Sequence, residues 1–286
     1  WKTVEIAEGY RVKGNRFHSS DFAHGIRFNM SRPIPDDVRH CGAEITLTAK
    51  GWHLCLKLEL PTPEPKSLED VAFPIGIDMG LNVLVAKSDG TLIPAPQFER
   101  KAHKRIRRMQ RLVARSKKGS NSSKRKKAML ARAHLKVRNQ RKDFLHKLST
   151  DMCREHDLVV YEDLKIRNMV RNRHLARGIH DASWATLLGM VGYKAVRGGT
   201  HAVGVNPRGT SQECSGCGIV VSKSPGTRTH RCNDCGLVLD RDVNAAINIL
   251  QRAGTALSPV THGQCAFGRK TGVGANNMQM TVQSCV

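Results

Sequence analysis

The sequence predicts an α/β chain with a basic helical arm inserted near its middle and a metal-stapled ribbon inserted near its end. Three observations predict this. Residues 206–250 hold two Cys-x-x-Cys pairs, Cys214/Cys217 and Cys232/Cys235, each followed directly by a glycine, Gly218 and Gly236. Short apolar runs of strand character alternate with helical stretches from residue 73 to residue 252, and carboxylates stand at their ends or starts: Asp78, Glu162 and Asp242. Residues 100–147 carry twenty Lys or Arg and a single acid, Asp143, a net of +19 in a chain whose whole net charge is +23.

Residues 1–44 are polar and read as irregular, with weak strand hints. Residues 45–48 and 52–60 flank Ala49-Lys50-Gly51. In the second run Leu54, Leu56, Leu58 and Leu60 alternate with His53, Cys55, Lys57 and Glu59, so the pair reads as a β-hairpin with one buried face. Pro61, Pro63 and Pro65 end that pattern and mark a boundary. Residues 73–80 form a short apolar strand that carries Asp78. Residues 83–86 and 91–93 are the next two strands, joined at Ser88-Asp89-Gly90, and the three make a meander.

The basic stretch is split into two helical arms by residues 119–123. Ile106, Met109 and Val113 recur at helical spacing in the first arm. Leu130, Val137, Phe144, Leu148 and Met152 do so in the second, with Ala133 and Gln140 or Arg141 between them. Such a stripe is core-facing. Residues 158–162 are a buried-type strand ending in Glu162, and residues 171–177 read as a basic loop. A helix spans residue 183 to about 196 and stops at Gly198-Gly199. Residues 201–205 are a strand, and a last helix runs from about 242 to 252. The tail beyond Thr255 shows no periodicity and reads as irregular.

Composition narrows the function. Hydrophobic residues make up 40% of the chain, enough for a core, and the sequence pI is near 10.1. A chain this basic most often meets nucleic acid, with an acidic membrane surface as the competitor. No run reaches the ~18 apolar residues of a spanning helix. The density and single sign of the arm favour phosphate contact over a merely solvated face. The candidates are Lys104, Arg105, Arg107, Arg108, Arg111, Arg115, Lys124, Arg125, Lys126, Lys127, Arg138, Arg141 and Lys142, together with Arg171 and Arg173 of the basic loop.

Two Cys-x-x-Cys knuckles supply four soft ligands in a tetrahedron, which suits one structural Zn²⁺ and leaves no open position for chemistry. The alternative is a pair of disulfides in a secreted domain. Five further cysteines at irregular positions (Cys41, Cys55, Cys153, Cys265 and Cys285) and the lack of a secretory leader speak against it, and point to a reducing, cytoplasmic compartment. Cys55 and Cys153 sit in apolar runs and read as buried thiols. The chain starts at Trp1 rather than Met, which suggests a cut or partly recorded N-terminus.

The element order is three strands, helices, strand, helix, strand, helix. That is the order of a ribonuclease-H-like fold, in which carboxylates on central strands and on the final helix converge. Asp78, Glu162 and Asp242 would repel one another unless divalent cations lay between them. Two Mg²⁺, or Mn²⁺, held in this way suit phosphodiester hydrolysis by activating water and stabilising the leaving 3′ oxygen. Asp240 competes with Asp242 and Asp163 with Glu162. Helical spacing does not decide between the first two, although small Ala245 and Ala246 would let the last helix approach the sheet on the Asp242 side.

Four separated motifs carry a family resemblance: GIDMG at 76–80, VVYEDLKIRNMV at 159–170, the TSQECSGCG…HRCNDCG ribbon, and DRDVNAAINIL at 240–250. In this order, over about residues 70–255, they resemble the RuvC-like nuclease of TnpB (OrfB) proteins, transposon-encoded relatives of compact type V CRISPR effectors. The resemblance implies an RNA-guided, Mg²⁺-dependent DNA endonuclease whose partners are a guide RNA and a target DNA, with no membrane, in a bacterial or archaeal cytoplasm near the nucleoid. It implies catalytic and Mg²⁺-binding roles for Asp78, Glu162 and Asp242, and zinc ligation by Cys214, Cys217, Cys232 and Cys235. It also implies that the basic helices lie along the guide–target duplex.

The expected organisation follows. Residues 1–66 are a partial, wedge-like β-barrel segment. Residues 67–205 are the RuvC-like core, with the basic helical insertion at 97–157. Residues 206–239 are the zinc ribbon, 240–254 the last core segment and helix, and 255–286 an irregular tail. Family members carry a longer N-terminal part, so the chain reads as truncated there. A nuclease-inactive, RNA-guided DNA-binding protein of repressor type is the alternative, as is a transposase on the same fold. Retention of all three acids favours the enzyme, because nothing else maintains a costly cluster of like charges.

Overall fold

The computed structural model describes residues 3–36, 38–224, 226–256 and 277–283. The chain divides into two compact units: residues 1–62, 105–136 and 269–286 form the first, and residues 63–104 and 137–268 the second.

The first unit is built on two antiparallel sheets. One has the order β1 (Thr3–Ile6), β5 (Arg39–Thr48), β6 (Gly51–Glu59), β14 (Asn277–Gln283). The other is a meander of β2 (Tyr10–Lys13), β3 (Arg16–Ser19) and β4 (Phe22–Arg27). The hairpin read from the leucine alternation is β5–β6, closed where Thr48 pairs with Gly51. Leu54, Leu56 and Leu58 are buried with Phe17, Phe28 and Ile45, while His53, Cys55 and Lys57 are only half-buried. Residues 1–44 are therefore more regular than their polarity suggests. Four short strands occupy them: Ile6 and Phe17 each anchor one, β1 and β3, while β2 and β4 are held by pairing with β3 on either side. Residues 277–283 form a strand where the sequence reads as irregular; they extend the sheet by pairing with β6 across Met278↔Leu58 and Thr281↔Cys55. The expectation for residues 257–276 and 284–286, with Cys265 and Cys285, lies outside the described residues.

The second unit holds a five-stranded sheet in the order β11 (His201–Val205), β10 (Leu158–Glu162), β7 (Pro74–Met79), β8 (Val83–Lys87), β9 (Leu92–Pro94). β7, β8 and β9 are the antiparallel meander. β10 lies parallel to β7 and β11 parallel to β10. Parallel strands covered on both faces read as continuous apolar runs, as residues 158–161 do. Side chains alternate between the two faces. Ile75, Ile77, Met79 and Val159 join Leu145, Leu148 and Met152 of α2 (Asn121–Glu155) and Leu187 and Val191 of α5 (Trp184–Gly198) in one core. Leu158, Val160 and Val205 join Ile249 and Ala253 of α6 (Arg241–Ala256) in a second core on the opposite face. By the same alternation Gly76, Asp78 and Glu162 belong to the face that α6 covers.

The basic stretch is helical on both sides of residues 115–120: α1 (Phe98–Ala114), then α2. Residues 105–136 of these helices group with the first unit and the rest with the second. Ile106, Val137, Leu148 and Met152 of the sequence-derived stripe are buried, Leu130 and Phe144 only half-buried, and Leu135 and Leu145 join the buried set. Two short helices follow β10, α3 (Ile166–Met169) and α4 (Arg173–Ala182). The basic stretch at 171–177 is thus mostly the start of a helix rather than a loop. The Asn172 side chain caps it by accepting the His174 amide at 3.0 Å, and Ile179 and Ala182 give it a buried side. No helix among the described residues is long and apolar enough to cross a membrane.

Candidate functional site

The site forms where β7, β10, α6 and the ribbon meet within the second unit. Asp78 sits one residue before the end of β7, Glu162 ends β10, and Asp242 is the second residue of α6. Tyr161 pairs with Ile77, so Glu162 reaches the same level of the sheet as Asp78. α6 comes down on β7 closely: a Cβ added to Gly76 would stand 2.1 Å from the Ala246 carbonyl oxygen. Ala245 and Ala246 are both buried. Small residues on each element are what permit backbone-to-backbone approach.

Asp78 feels the other two carboxylates. Asp78 is held up to about 7, first by burial and then by the charges of Glu162 and Asp242, with Arg241 opposing. Burial likewise pushes Glu162 up, while a hydrogen bond from Thr210 and the charge of Arg252 oppose the rise. Thr210 Oγ1 donates to Glu162 Oε1 at 2.5 Å. Asp242 is engaged on both oxygens: Arg228 Nη1 lies 3.2 Å from Oδ2 and Arg241 Nη2 3.1 Å from Oδ1.

Asp240 and Asp242, indistinguishable by spacing, separate by geometry. Asp240 Oδ1 accepts the backbone amides of Asp242 at 2.8 Å and Val243 at 3.4 Å. It is the N-cap of α6, satisfying amides that a helix start leaves without partners. Asp242 is the residue whose charge reaches Asp78. On β10 the same distinction favours Glu162, whose charge reaches Asp78, over Asp163, whose backbone amide pairs with Val205 O at 2.9 Å.

The ribbon brings Cys214, Cys217, Cys232 and Cys235 together, with all four Sγ atoms within 4.8 Å of one another. Cys214 and Cys235 stand 3.6 Å apart at sulfur, as do Cys217 and Cys232. A disulfide needs about 2.05 Å. Four thiolates around one Zn²⁺ at about 2.3 Å stand about 3.8 Å apart, so the donor set fits that ion and not two disulfides. β12 (Thr229–Arg231) and β13 (Val238–Asp240) pair across the second knuckle. Gly218 and Gly236 take φ values of 76° and 75°, the left-handed turn that closes each knuckle. Cys55 and Cys153 are half-buried rather than fully buried, and burial pushes the Cys153 thiol up to about 11.

Side-chain amides fasten the ribbon to α6. Asn248 Nδ2 donates to Thr210 O and Glu213 O, both at 2.8 Å. Asn244 Nδ2 donates to Glu213 O at 2.8 Å and Asn244 Oδ1 accepts the Ser215 amide at 3.0 Å. Arg252 pairs with Glu213 at 2.8 Å. None of Thr210, Arg228, Arg241, Asn244, Asn248 or Arg252 was singled out from the sequence. Asn244 and Asn248 were detectable there as polar residues four apart on the same helix. Thr210 opens the TSQECSGCG motif but nothing there marked its contact with Glu162, and Arg228 had no sequence signal.

Of the fifteen basic candidates, all but Lys126 and Arg141 are exposed. Arg141 differs from the exposed candidates in being half-buried and ion-paired. Its Nη2 lies 2.8 Å from Asp181 and 3.7 Å from Glu99, ion pairs that engage its charge within the second unit.

Comparison with known proteins agrees with the motifs. Residues 53–173 match the family OrfB_IS605, described as "Probable transposase", and residues 184–249 match the TNB domain of Cas12f1-like proteins. A Streptomyces pristinaespiralis protein named "Putative RNA-guided DNA endonuclease" is 40% identical over 244 residues, 84% of this chain and 60% of that protein. InsQ of Escherichia coli K12, named in the same words, is 28% identical over 241 residues, 79% of this chain and 59% of that protein. The chain thus spans about 60% of the length of these curated relatives. Among solved structures, the cryo-EM complex of Cas12f1 with sgRNA and target DNA superposes with a TM-score of 0.54 at 15% identity, covering 86% of this chain and 58% of that one. At that identity the likeness is one of fold. The chain resembles TnpB (OrfB) proteins in sequence and compact Cas12 effectors in its mixed α/β fold.

Proposed function

We propose that this chain is the nuclease part of an RNA-guided DNA endonuclease of the TnpB kind, with a ribonuclease-H-like (RuvC) core. The observation that carries the reading is the burial of Asp78 on the face that α6 covers, with the charges of Glu162 and Asp242 acting on it. A carboxyl held up to about 7 by burial and two neighbouring acids is costly unless cations use the cluster. The names of the similar proteins supply the nucleic-acid partners, a guide RNA and a target DNA.

Asp78, Glu162 and Asp242 would hold the divalent cations, Mg²⁺ or Mn²⁺, and oxygen donors of this kind suit such hard ions. When bound, the cations supply an activated water and stabilise the charge that develops on the leaving 3′ oxygen. The chain's own residues prepare the site. Thr210 fixes Glu162 through Oε1 and leaves its second oxygen for ligation. Asp240 caps α6 and so sets where Asp242 stands. Asp78 must lose its proton to ligate, so proton and cation compete for this carboxyl. The ribbon braces α6 through Asn244 and Asn248, with Zn²⁺ in a structural role. The exposed Lys and Arg of α1 and α2 contact phosphates of the guide–target duplex, and the first unit corresponds to a partial wedge-like barrel.

The test is to sequence the RNA that copurifies with the chain and to assay metal-dependent cleavage of DNA matching it. A discrete RNA with cleavage lost in Asp78→Asn supports the reading. Cleavage that survives Asp78→Asn and Glu162→Gln alike overturns the site assignment.

A further inference from the structure

Asp242 lies in the carboxylate cluster, yet both of its oxygens are engaged by arginines. The two arginines are not equivalent. Arg241 is its neighbour in sequence, with 17% of its side chain exposed, and it also lowers the cost of ionising Asp78. Arg228 comes from the ribbon, fourteen residues away, and half of its side chain is in solvent. Its backbone carbonyl accepts the Arg241 amide at 2.6 Å, just before β12 pairs with β13 at Thr229↔Asp240. The Arg228 backbone is therefore fixed beside the start of α6, while its guanidinium is tethered only by a long side chain at a wet boundary.

Among the described residues the four ribbon cysteines are the group whose ligand atoms gather within 4.8 Å; the three carboxylates do not form a second such group. A cation drawing on all three must take an Asp242 oxygen from an arginine, Oδ1 from Arg241 or Oδ2 from Arg228. Exchange is electrostatically balanced: one cation leaves a carboxylate as another arrives, so the cluster is never left with its full repulsion. The arginine able to leave is the exposed one, because a guanidinium released into water regains its hydration.

We propose that Arg228 is a displaceable counter-cation at the third carboxylate, which a divalent metal must exchange for when it enters the site. This rests on the reading of Asp78, Glu162 and Asp242 as metal ligands. The ribbon then does more than brace α6: it carries an internal competitor that sets how much free metal the site needs.

The experiment titrates the purified full chain, zinc retained, with Mn²⁺ at pH 8 and reads free Mn²⁺ by electron paramagnetic resonance, so no cleavage is involved. Arg228→Gln is expected to bind Mn²⁺ roughly two- to five-fold more tightly than the parent, the scale of a half-exposed ion pair, and Arg228→Lys to return toward the parent value. Glu162→Gln in either background should abolish this binding, which assigns it to the carboxylate site. Unchanged zinc content and thermal midpoint in Arg228→Gln show that the ribbon is intact. Equal or weaker Mn²⁺ binding by Arg228→Gln overturns the counter-cation while leaving the metal site standing. No Mn²⁺ binding by the parent or by Arg228→Gln overturns the metal-site reading as well.

Discussion

The hydroxyl of Thr210 donates to the carboxylate of Glu162 at 2.5 Å, joining the chain that leads into the ribbon to the end of a central strand. The bond is buried and its acceptor is a charged group when ionised, so it is worth about 1.5–3 kcal/mol. Thr210→Val keeps the shape and removes the donor. It is expected to lower unfolding stability by that amount in urea titration and to reduce cleavage, whereas Thr210→Ser should retain most of both.

Asp78 gives a pH signature. Its carboxyl is raised from an ordinary value of 3.8 to about 7 in the folded chain. The folded state therefore binds this proton more tightly than the unfolded state does. Its contribution to stability is fully present below about 4 and is lost as pH rises to about 7. Without added divalent metal, unfolding stability should fall across that window, and Asp78→Asn should flatten the fall and be the more stable protein at pH 8. An identical pH profile in the variant would count against the cluster.

Denying the four ribbon cysteines the proposed Zn²⁺ should propagate to α6. Asn244 and Asn248 donate to backbone carbonyls of the first knuckle region, so melting the ribbon leaves two buried amides without partners. Cys232→Ser, or stripping Zn²⁺ with a chelator, is expected to raise hydrogen exchange over residues 206–250. Exchange that stays unchanged after metal removal would show that the cysteines hold no structural ion.

The basic residues should divide into two classes. Replacing exposed Arg107, Arg108 and Arg111 by Gln should weaken nucleic-acid binding and make the salt slope of log K shallower by roughly 0.7–0.9 for each phosphate that is no longer neutralised. Arg141→Gln should leave that slope alone and lower stability instead, because Arg141 is paired with Asp181 and Glu99.

Much of this arrangement was legible in the sequence, for identifiable reasons. Leucine alternation fixed the β5–β6 hairpin, since a one-face burial pattern has no other simple reading. Cysteine spacing marked the knuckles, because four soft ligands with paired spacing admit few geometries. Residues 3–27 gave only weak strand hints and their individual strands were not placed, because strands of four to six residues, with a single buried side chain in β1 and in β3, carry almost no periodic signal. The helix at 173–182 was missed because its arginines masked a buried side of only Ile179 and Ala182. Asp240 and Asp242 could not be told apart by spacing, since the distinction lies in where one carboxylate oxygen meets a backbone amide. The contacts of Arg228 and Thr210 were invisible because their partners lie fourteen and forty-eight residues away.

Gly76 has a consequence for how intactness is judged. A methyl group there would meet the Ala246 carbonyl oxygen at 2.1 Å, a backbone atom that no rotamer change can move aside. The helix would have to lift, taking Asp242 with it. A copy of this gene in which Gly76 had become Ala would keep every acid and every ribbon cysteine, and an inspection of those signature residues would score it as competent. The placement of Asp242 beside Asp78 would nevertheless be lost to one uncharged carbon atom on the strand beneath the helix. For chains of this kind, decay can begin at a residue that has no side chain to lose.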